Sequence, residues 1–283
     1  MVQVVQAERS DWRVQVIRAA VLGSPITHSL SPALHKRAYE LLGLPASYGS
    51  IDLTPERALD FFKEALIEDW TGFSLTMPLK ESIFDLSDSL HFEIEPVAVR
   101  MRSANTILKV GDTFRASSTD RTGFIRLLDS VKKDRVAVIG GGGTARAALG
   151  ALDGKARNID FLLRNLSRAE ALSTISSSSA VNFYGMDRSL QGYDLVISTV
   201  PAGASDLIAE SLDFMIPTVF EVLYNPYPTK LLTKAITLGS NVFDGIDLLV
   251  EQALDQIALF SGTTFDLEPM RQELLSVGRA HLR

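Results

Sequence analysis

The sequence predicts an α/β protein of two domains: an N-terminal α/β domain with a mainly parallel sheet, then a C-terminal domain of the Rossmann type. Three observations carry this expectation. Short apolar runs alternate with helical patterns through the first half of the chain. A glycine-rich turn stands between a strand and a helix around Gly140 to Ala145. A length of 283 residues at 46% hydrophobic composition suffices for two ordinary cores.

The elements follow in order. Residues 17–23, IRAAVLG, read as a strand. Ser31 to Leu42 reads as a helix, with Ser31 as N-cap and Pro32 at the first position. Its apolar residues Leu34, Ala38, Leu41 and Leu42 have helical spacing. A strand at ASYGSIDL, a helix from Pro55 opened by Thr54, and the strand GFSLTM complete a β-α-β-α-β series. Gly111-Asp112 predicts a hairpin turn between ANTILKV and TFRASS. The domain change is expected at Thr119–Asp120, where the helix TGFIRLLDSV leads into a second sheet. Its strands are VAVIG, NIDFLLR, VNFYG, DLVISTV, TVFEVLY and NVFDG, with helices at TARAALGAL and SRAEALSTI. The serine run in STISSSS reads as an exposed helix end and loop. GIDLLVEQALDQIALFSG reads as a long amphipathic helix. The expected domains are 1–119 together with C-terminal helices in 246–283, and 120–245.

Composition narrows the function classes. A net charge of −6 argues against nucleic-acid binding, though local basic residues can still bind a small anion. The absence of cysteine excludes disulfides and thiolate metal sites, and the four histidines have no metal-ligand spacing, so no metal is expected. The N-terminal stretch MVQVVQAERSDWRVQVIRA is neither a signal peptide nor a membrane helix. The expectation is a cytoplasmic protein without membrane association, monomeric or homodimeric.

The turn in VAVIGGGGTARAAL places Gly140, Gly142 and Ala145 in the G-x-G-x-x-G/A pattern, with Gly143 and Thr144 at the head of the following helix. Such a turn lets a pyrophosphate approach the backbone at a helix N-terminus. The competing reading is a glycine turn that serves structure alone. The next strand ends in Arg164, with Asn165 beside it and Arg168 four residues beyond Arg164. Two guanidinium groups suit the 2′-phosphate of NADP, and the acid that NAD favours is missing there. Asp160 lies too early in the strand for that role. Alternatively, both arginines are solvated at a helix start, although a cation opposes the dipole at that end.

In the N-terminal half, Ser29 and Ser31 stand two apart at the end of a strand and suit a polyol or a carboxylate. Helix capping also accounts for Ser31. His28 beside Ser29 is no hydrolase pair, because no nucleophile elbow accompanies it. Lys80, just past Pro78, is by itself most simply a solvated lysine, and Asp120 by itself a helix N-cap.

Taken together, these stretches resemble the shikimate dehydrogenase family. GSPITHSLSP resembles its substrate-binding N-terminal motif, and GFSLTMPLK its G-N-V-T-x-P-x-K segment. SANT and STDRTGF resemble A-V-N-T and N-T-D-x-x-G-F; IGGGGTARAAL resembles its glycine loop, and LRNLSR its NADP clamp. EVLYNPYPTKLL and the helix from Gly245 resemble its two closing motifs. The resemblance spans roughly residues 20 to 265. Ser74 stands where many members have Asn, Ser118 replaces the Asn before Thr119-Asp120, and Leu163 replaces the Asn of the clamp.

The resemblance implies reversible, NADP-dependent reduction of 3-dehydroshikimate to shikimate, with Lys80 and Asp120 as the proton-transfer pair. It implies substrate contacts at Ser29, Ser31, Thr76, Asn105, Tyr224 and Gln252. It places Gly140, Gly142, Gly143, Thr144, Ala145, Arg164, Asn165, Arg168 and Thr199 at the cofactor. Alternatives left open are a quinate/shikimate dehydrogenase, a paralogue acting on a related cyclitol acid with NAD, and a nucleotide-binding regulator without chemistry.

Overall fold

The structure is a computed structural model that describes residues 4–5, 16–90 and 92–282. The reading of residues 1–19 as neither leader nor membrane helix falls largely outside the described residues, as does His91. The chain divides into two compact units, Met1–Thr119 with Leu249–His281, and Asp120–Leu248 with Leu282–Arg283.

The first unit contains β1 (Val4–Val5), β2 (Ile17–Gly23), α1 (Ser31–Leu42), β3 (Ala46–Asp52), α2 (Pro55–Ile67), β4 (Gly72–Leu75) and α3 (Leu79–Leu90). It continues with β5 (Glu93–Ile94), α4 (Pro96–Met101), β6 (Thr106–Val110) and β7 (Thr113–Ser117). Among the described residues β2 to β7 form a six-stranded sheet in the order β3-β2-β4-β6-β7-β5. Pairings β2–β3, β2–β4 and β5–β7 are parallel, whereas β4–β6 and β6–β7 are antiparallel. The sheet is mainly parallel, as expected, and the expected hairpin supplies one of its antiparallel pairings: Gly111, at φ 59°, reverses the chain directly from β6 into β7.

Alternation along β4 decides what each residue faces. Phe73 and Leu75 enter an apolar core with Phe62, Phe92 and Phe114. These rings meet edge to face, Phe62 and Phe92 at 5.4 Å between centroids and 90° between planes. Gly72 and Ser74 take the opposite face.

The second unit begins with α5 (Thr119–Leu127), then β8 (Arg135–Ile139), α6 (Gly143–Leu152), β9 (Asn158–Leu162), a 3-10 turn (Leu166–Arg168), α7 (Ala169–Ser173) and β10 (Ala180–Tyr184). It continues through β11 (Leu195–Ser198), α8 (Asp206–Ser211), β12 (Thr218–Glu221), α9 (Lys230–Thr237) and β13 (Asn241–Phe243). Its sheet is parallel throughout the described residues, in the order β10-β9-β8-β11-β12-β13. That is the doubly wound order, with the chain reversing direction across the sheet at β8. Ile139, Val196 and Val219 pack on Ile208, Leu231 and Ala235 of α8 and α9.

The serine run is more than a loose loop end. Asp153 accepts from the Ser176 hydroxyl at 2.8 Å and from the backbone N–H groups of Ser177, Ser178 and Ser179. Partial burial works to raise this carboxyl, but these donors hold it down at about 2.

Helix α10 (Gly245–Ser261) runs from the second unit into the first, followed by β14 (Thr264–Phe265), which pairs with β1, and α11 (Leu267–Ala280). Phe260 of α10 lies so close to β4 that a Cβ added at Gly72 would stand 2.5 Å from its ring and 2.4 Å from the Ile107 carbonyl oxygen. Gly72→Ala is therefore expected to destabilise the protein by about 1–3 kcal/mol, measured as a lower urea midpoint; an unchanged midpoint contradicts the close approach.

Candidate functional site

The polar end of the first unit is built around Asn105, just ahead of β6. Both lone pairs of its backbone carbonyl are used, by Leu75 N–H at 2.8 Å and by the Gln256 amide at 3.2 Å. Its side chain accepts from Thr119 N–H at 2.7 Å and donates to Thr119 Oγ1 at 2.9 Å and Gln252 Oε1 at 3.1 Å. Asn105 thereby satisfies an N-terminal N–H of α5 from a distance. Asp120, expected as the cap, is instead the second residue of α5 and is 3% exposed.

Thr76 follows β4 in a turn that closes against β2. Its N–H donates to Leu22 O at 2.9 Å, and Ser24 N–H donates to Met77 O at 3.0 Å. A Cβ at Gly23 would stand 2.4 Å from Thr76 Cγ2, so glycine is required there. Lys80 is half-buried at the start of α3, and its carbonyl accepts from Ala104 N–H at 3.0 Å, which ties it to the segment carrying Asn105. Ser29 is half-buried and Ser31 buried. Ser31 is already helical; Leu30 holds the N-cap position, no side chain caps the helix, and the Ser29 hydroxyl lies 3.4 Å from Ser31 N. Capping therefore does not account for the Ser31 hydroxyl.

Behind these residues lies a buried polar chain that sequence reasoning missed. Ser74 donates to Gln256 Oε1 at 2.7 Å and accepts from the Tyr48 hydroxyl at 2.6 Å. His35 Nε2 lies 3.3 Å from Gln256 Oε1, and Nδ1 lies 3.1 Å from the Tyr39 hydroxyl. Burial lowers His35 to about 3, so it is a neutral ring, stacked on Tyr48 at 3.8 Å. The available signal was Gln256 itself, one helical turn beyond Gln252 and on the same face.

In the second unit, the glycine turn follows β8. Gly140 has φ 106°, and Thr199, after β11, donates to Ile139 O at 2.9 Å against that turn. A Cβ at Gly140 would stand 2.5 Å from Thr199 Oγ1. Gly142 is the N-cap of α6, so no side-chain acceptor competes for the helix N-terminal N–H groups, where Gly143, Thr144 and Ala145 lie. Arg164 and Asn165 are exposed after β9, and Asn165 accepts from Ser167 N–H at 3.0 Å. Arg168 reaches back to Gly141 O at 3.1 Å and so stands beside the turn. Asp160 is committed within the sheet, accepting from Tyr193 at 2.6 Å and Asn182 at 2.8 Å. A turn without side chains, a helix N-terminus and two adjacent arginines fit a dinucleotide carrying an extra phosphate. Among the described residues no acidic or histidine cluster suits a metal ion.

Tyr224 lies half-buried in the loop after β12. The base of that loop is Glu221, which accepts from Leu223 N–H at 3.3 Å and from the Thr229 hydroxyl at 3.2 Å. Thr229 in turn caps α9 through Leu232 N–H at 3.1 Å. Burial pushes the Glu221 carboxyl up to about 7, outweighing these donors.

The strand order and the glycine turn define the second unit as a dinucleotide-binding α/β fold. A family profile described as "Shikimate dehydrogenase substrate binding domain" matches residues 21–107 in the first. The NADP(+) shikimate dehydrogenase of Methanosarcina mazei is 32% identical, over 92% of this chain and 98% of that protein. The crystal structure of the Mycobacterium tuberculosis shikimate dehydrogenase superposes with a TM-score of 0.81 at 30% identity, covering 92% of this chain and 98% of that one. The Thermus thermophilus enzyme in complex with shikimate gives 0.78 at 28% identity, covering 93% and 98%. The chain belongs to the shikimate dehydrogenase family.

Glu221 makes stability depend on pH. Its carboxyl ionises near 4.5 when unfolded and near 7 when folded. The contribution is full below the lower value and is lost as pH rises through the higher one. Glu221→Gln removes this slope. The melting temperature of the variant, relative to the unaltered protein, should rise between pH 5 and pH 8; a flat or falling difference would contradict the raised carboxyl.

Proposed function

We propose that the protein is an NADP-dependent shikimate dehydrogenase that reversibly reduces 3-dehydroshikimate to shikimate, a step toward aromatic amino acids. The observation that supports this most is the conjunction, in one chain of this family, of the Asn105–Gln252 amide pair with a glycine turn flanked by Arg164 and Arg168. In this reading the first unit binds the substrate and the second the dinucleotide. The protein is cytoplasmic, and no helix among the described residues is long and apolar enough to cross a membrane.

When bound, the cofactor supplies or accepts the hydride. The residues of the chain manage the rest. The ketone oxygen of 3-dehydroshikimate gains negative charge as the hydride arrives, and Lys80 delivers the proton it needs. In the oxidative direction the same amine takes the proton back. Asp120 is the carboxylate partner in this assignment, and as a charged ammonium Lys80 also stabilises the developing alkoxide. Ser29, Ser31, Thr76, Asn105, Tyr224 and Gln252 match a ring bearing several hydroxyls and one carboxylate. Arg164 and Arg168 receive the 2′-phosphate, with Asn165 shaping the turn between them.

The deciding assay follows the absorbance of the reduced cofactor with shikimate and with quinate, each with NADP and with NAD. Shikimate with NADP should be the fastest pair. Faster turnover of quinate with NAD would favour the alternative specificity, and tight NADP binding without turnover would indicate a regulator. Lys80→Ala should lower kcat by about a hundredfold or more while NADP affinity stays nearly unchanged; equal activity refutes the assignment. Replacing both Arg164 and Arg168 by Ala should weaken NADP by about tenfold or more relative to NAD; an unchanged ratio removes the 2′-phosphate argument.

A further inference from the structure

The Gln256 amide is fully buried and uses its entire hydrogen-bonding capacity within the first unit. Nε2 donates to Asn105 O at 3.2 Å and Thr106 Oγ1 at 2.9 Å, and Oε1 meets Ser74 at 2.7 Å and His35 at 3.3 Å. A backbone carbonyl only accepts, so Asn105 O fixes which end of the amide carries the protons. Every direction behind it then follows. His35 must carry its proton on Nε2, leaving Nδ1 to accept from Tyr39. Ser74 must spend its one proton on Gln256 Oε1, so it accepts from Tyr48.

We propose that Gln256 is a positioning residue of the substrate site. It holds Asn105 through its carbonyl, and Ser74, backed by Tyr48, and His35 hold its own oxygen in place. Ser74, 3% exposed and with its hydroxyl occupied on both sides, is a link in this chain and not a substrate contact. The amide that the family resemblance would put on β4 as an asparagine is delivered here from α10. The inference rests on the proposed reaction for its kinetic reading but on the buried amide alone for its chemistry.

Three variants test it: Gln256→Ala, Ser74→Asn, and the two combined. Each single change is expected to raise KM for shikimate by about tenfold, Gln256→Ala by losing the amide and Ser74→Asn by crowding it. KM for NADP should move by less than about twofold, and kcat less than KM. The double variant moves the amide from helix to strand and is expected to recover most of the lost affinity. A double variant no better than the worse single one, or NADP and shikimate KM rising together, overturns the proposal. Ser74→Ala, which adds no bulk, serves if Gln256→Ala does not fold; its KM for shikimate should rise several-fold, about half the free-energy cost of a lost buried hydrogen bond, and an unchanged KM counts against the chain. The imidazole ¹⁵N shifts of His35 in the full chain give a readout independent of turnover. They should show the Nε2–H tautomer and lose that preference in Gln256→Ala. If shikimate is not turned over but the tautomer behaves as stated, the function reading fails and the network stands. An Nδ1–H tautomer in the unaltered protein sinks the network itself.

Discussion

The first unit depends on one packing register, that of α10 across β4. Four residues of helix rise about 6 Å, and two residues of strand rise about 6.6 Å. Steps along the two elements therefore stay matched, and the contacts show it. Phe260 lies on Gly72, and Gln256 bonds Ser74. Carried one step further, the same match sets Gln252 level with Thr76. The glycine at 72 permits the close approach, and the close approach places two glutamines at the polar end of the sheet. Elongating the side chain at 72 would push the helix away from both hydrogen-bonded positions.

That register makes a demand of its own. Buried amides and hydroxyls cost about 1–3 kcal/mol each when left without a partner. The polar end of this sheet contains Asn105, Thr106, Thr119, Ser74, His35 and Gln256, all buried. Partners fix the donor and acceptor roles of Asn105, Gln256, Ser74 and His35, while between the Thr106 and Thr119 hydroxyls, 2.9 Å apart, either can donate. Fully satisfied networks of this kind specify a single arrangement, because any rotated amide would put two acceptors or two donors face to face. The residues proposed to face the substrate inherit that order. Asn105 is held by its carbonyl on one side and by Thr119 on the other, so its carboxamide is set before any ligand arrives.

Much of this architecture could be read from residue order. The alternation of strands and helices located β2, α1, β3, α2 and β4, and the turn residues Gly111-Asp112 located the β6–β7 hairpin. Local chemistry also exposed the glycine turn, because its requirements are short-range. What escaped was non-local. Ser74 and Gln256 are separated by 182 positions, Asn105 and Gln252 by 147, and neither pairing leaves a local pattern. The capping expectations at Ser31 and Asp120 missed for a related reason. A helix start needs its N–H groups satisfied, but at α5 the acceptor came from Asn105, fourteen residues upstream of Thr119. The two-residue strands β1 and β5 carry too few side chains to show a period. Glu221 gave no sign of burial, because a glutamate on an apolar strand reads as its solvated end until β11 and the loop close over it.

The two units solve opposite electrostatic problems, and this bears on how each can recognise an anion. In the first, the buried polar end is made of neutral amides, hydroxyls and one imidazole kept uncharged by burial, with Lys80 half-buried beside it. If the proposed site is there, its buried part distinguishes one ligand hydroxyl from another by the direction of hydrogen bonding. Such a site favours the placement of each hydroxyl over the net charge of the ligand. In the second, Asp160 is already held by Tyr193 and Asn182, which removes from β9 the carboxylate that would repel a phosphate. Arg164 stays exposed and Arg168 bends onto the Gly141 carbonyl, so positive charge gathers beside the glycine turn. Coulomb attraction there is long-ranged and tolerant of geometry, whereas the amide network tolerates almost none. A cofactor common to many reactions can be held by charge at a helix N-terminus. A ring whose hydroxyls differ only in position has to be read by fixed donors and acceptors, and the buried glutamine is where this chain fixes them.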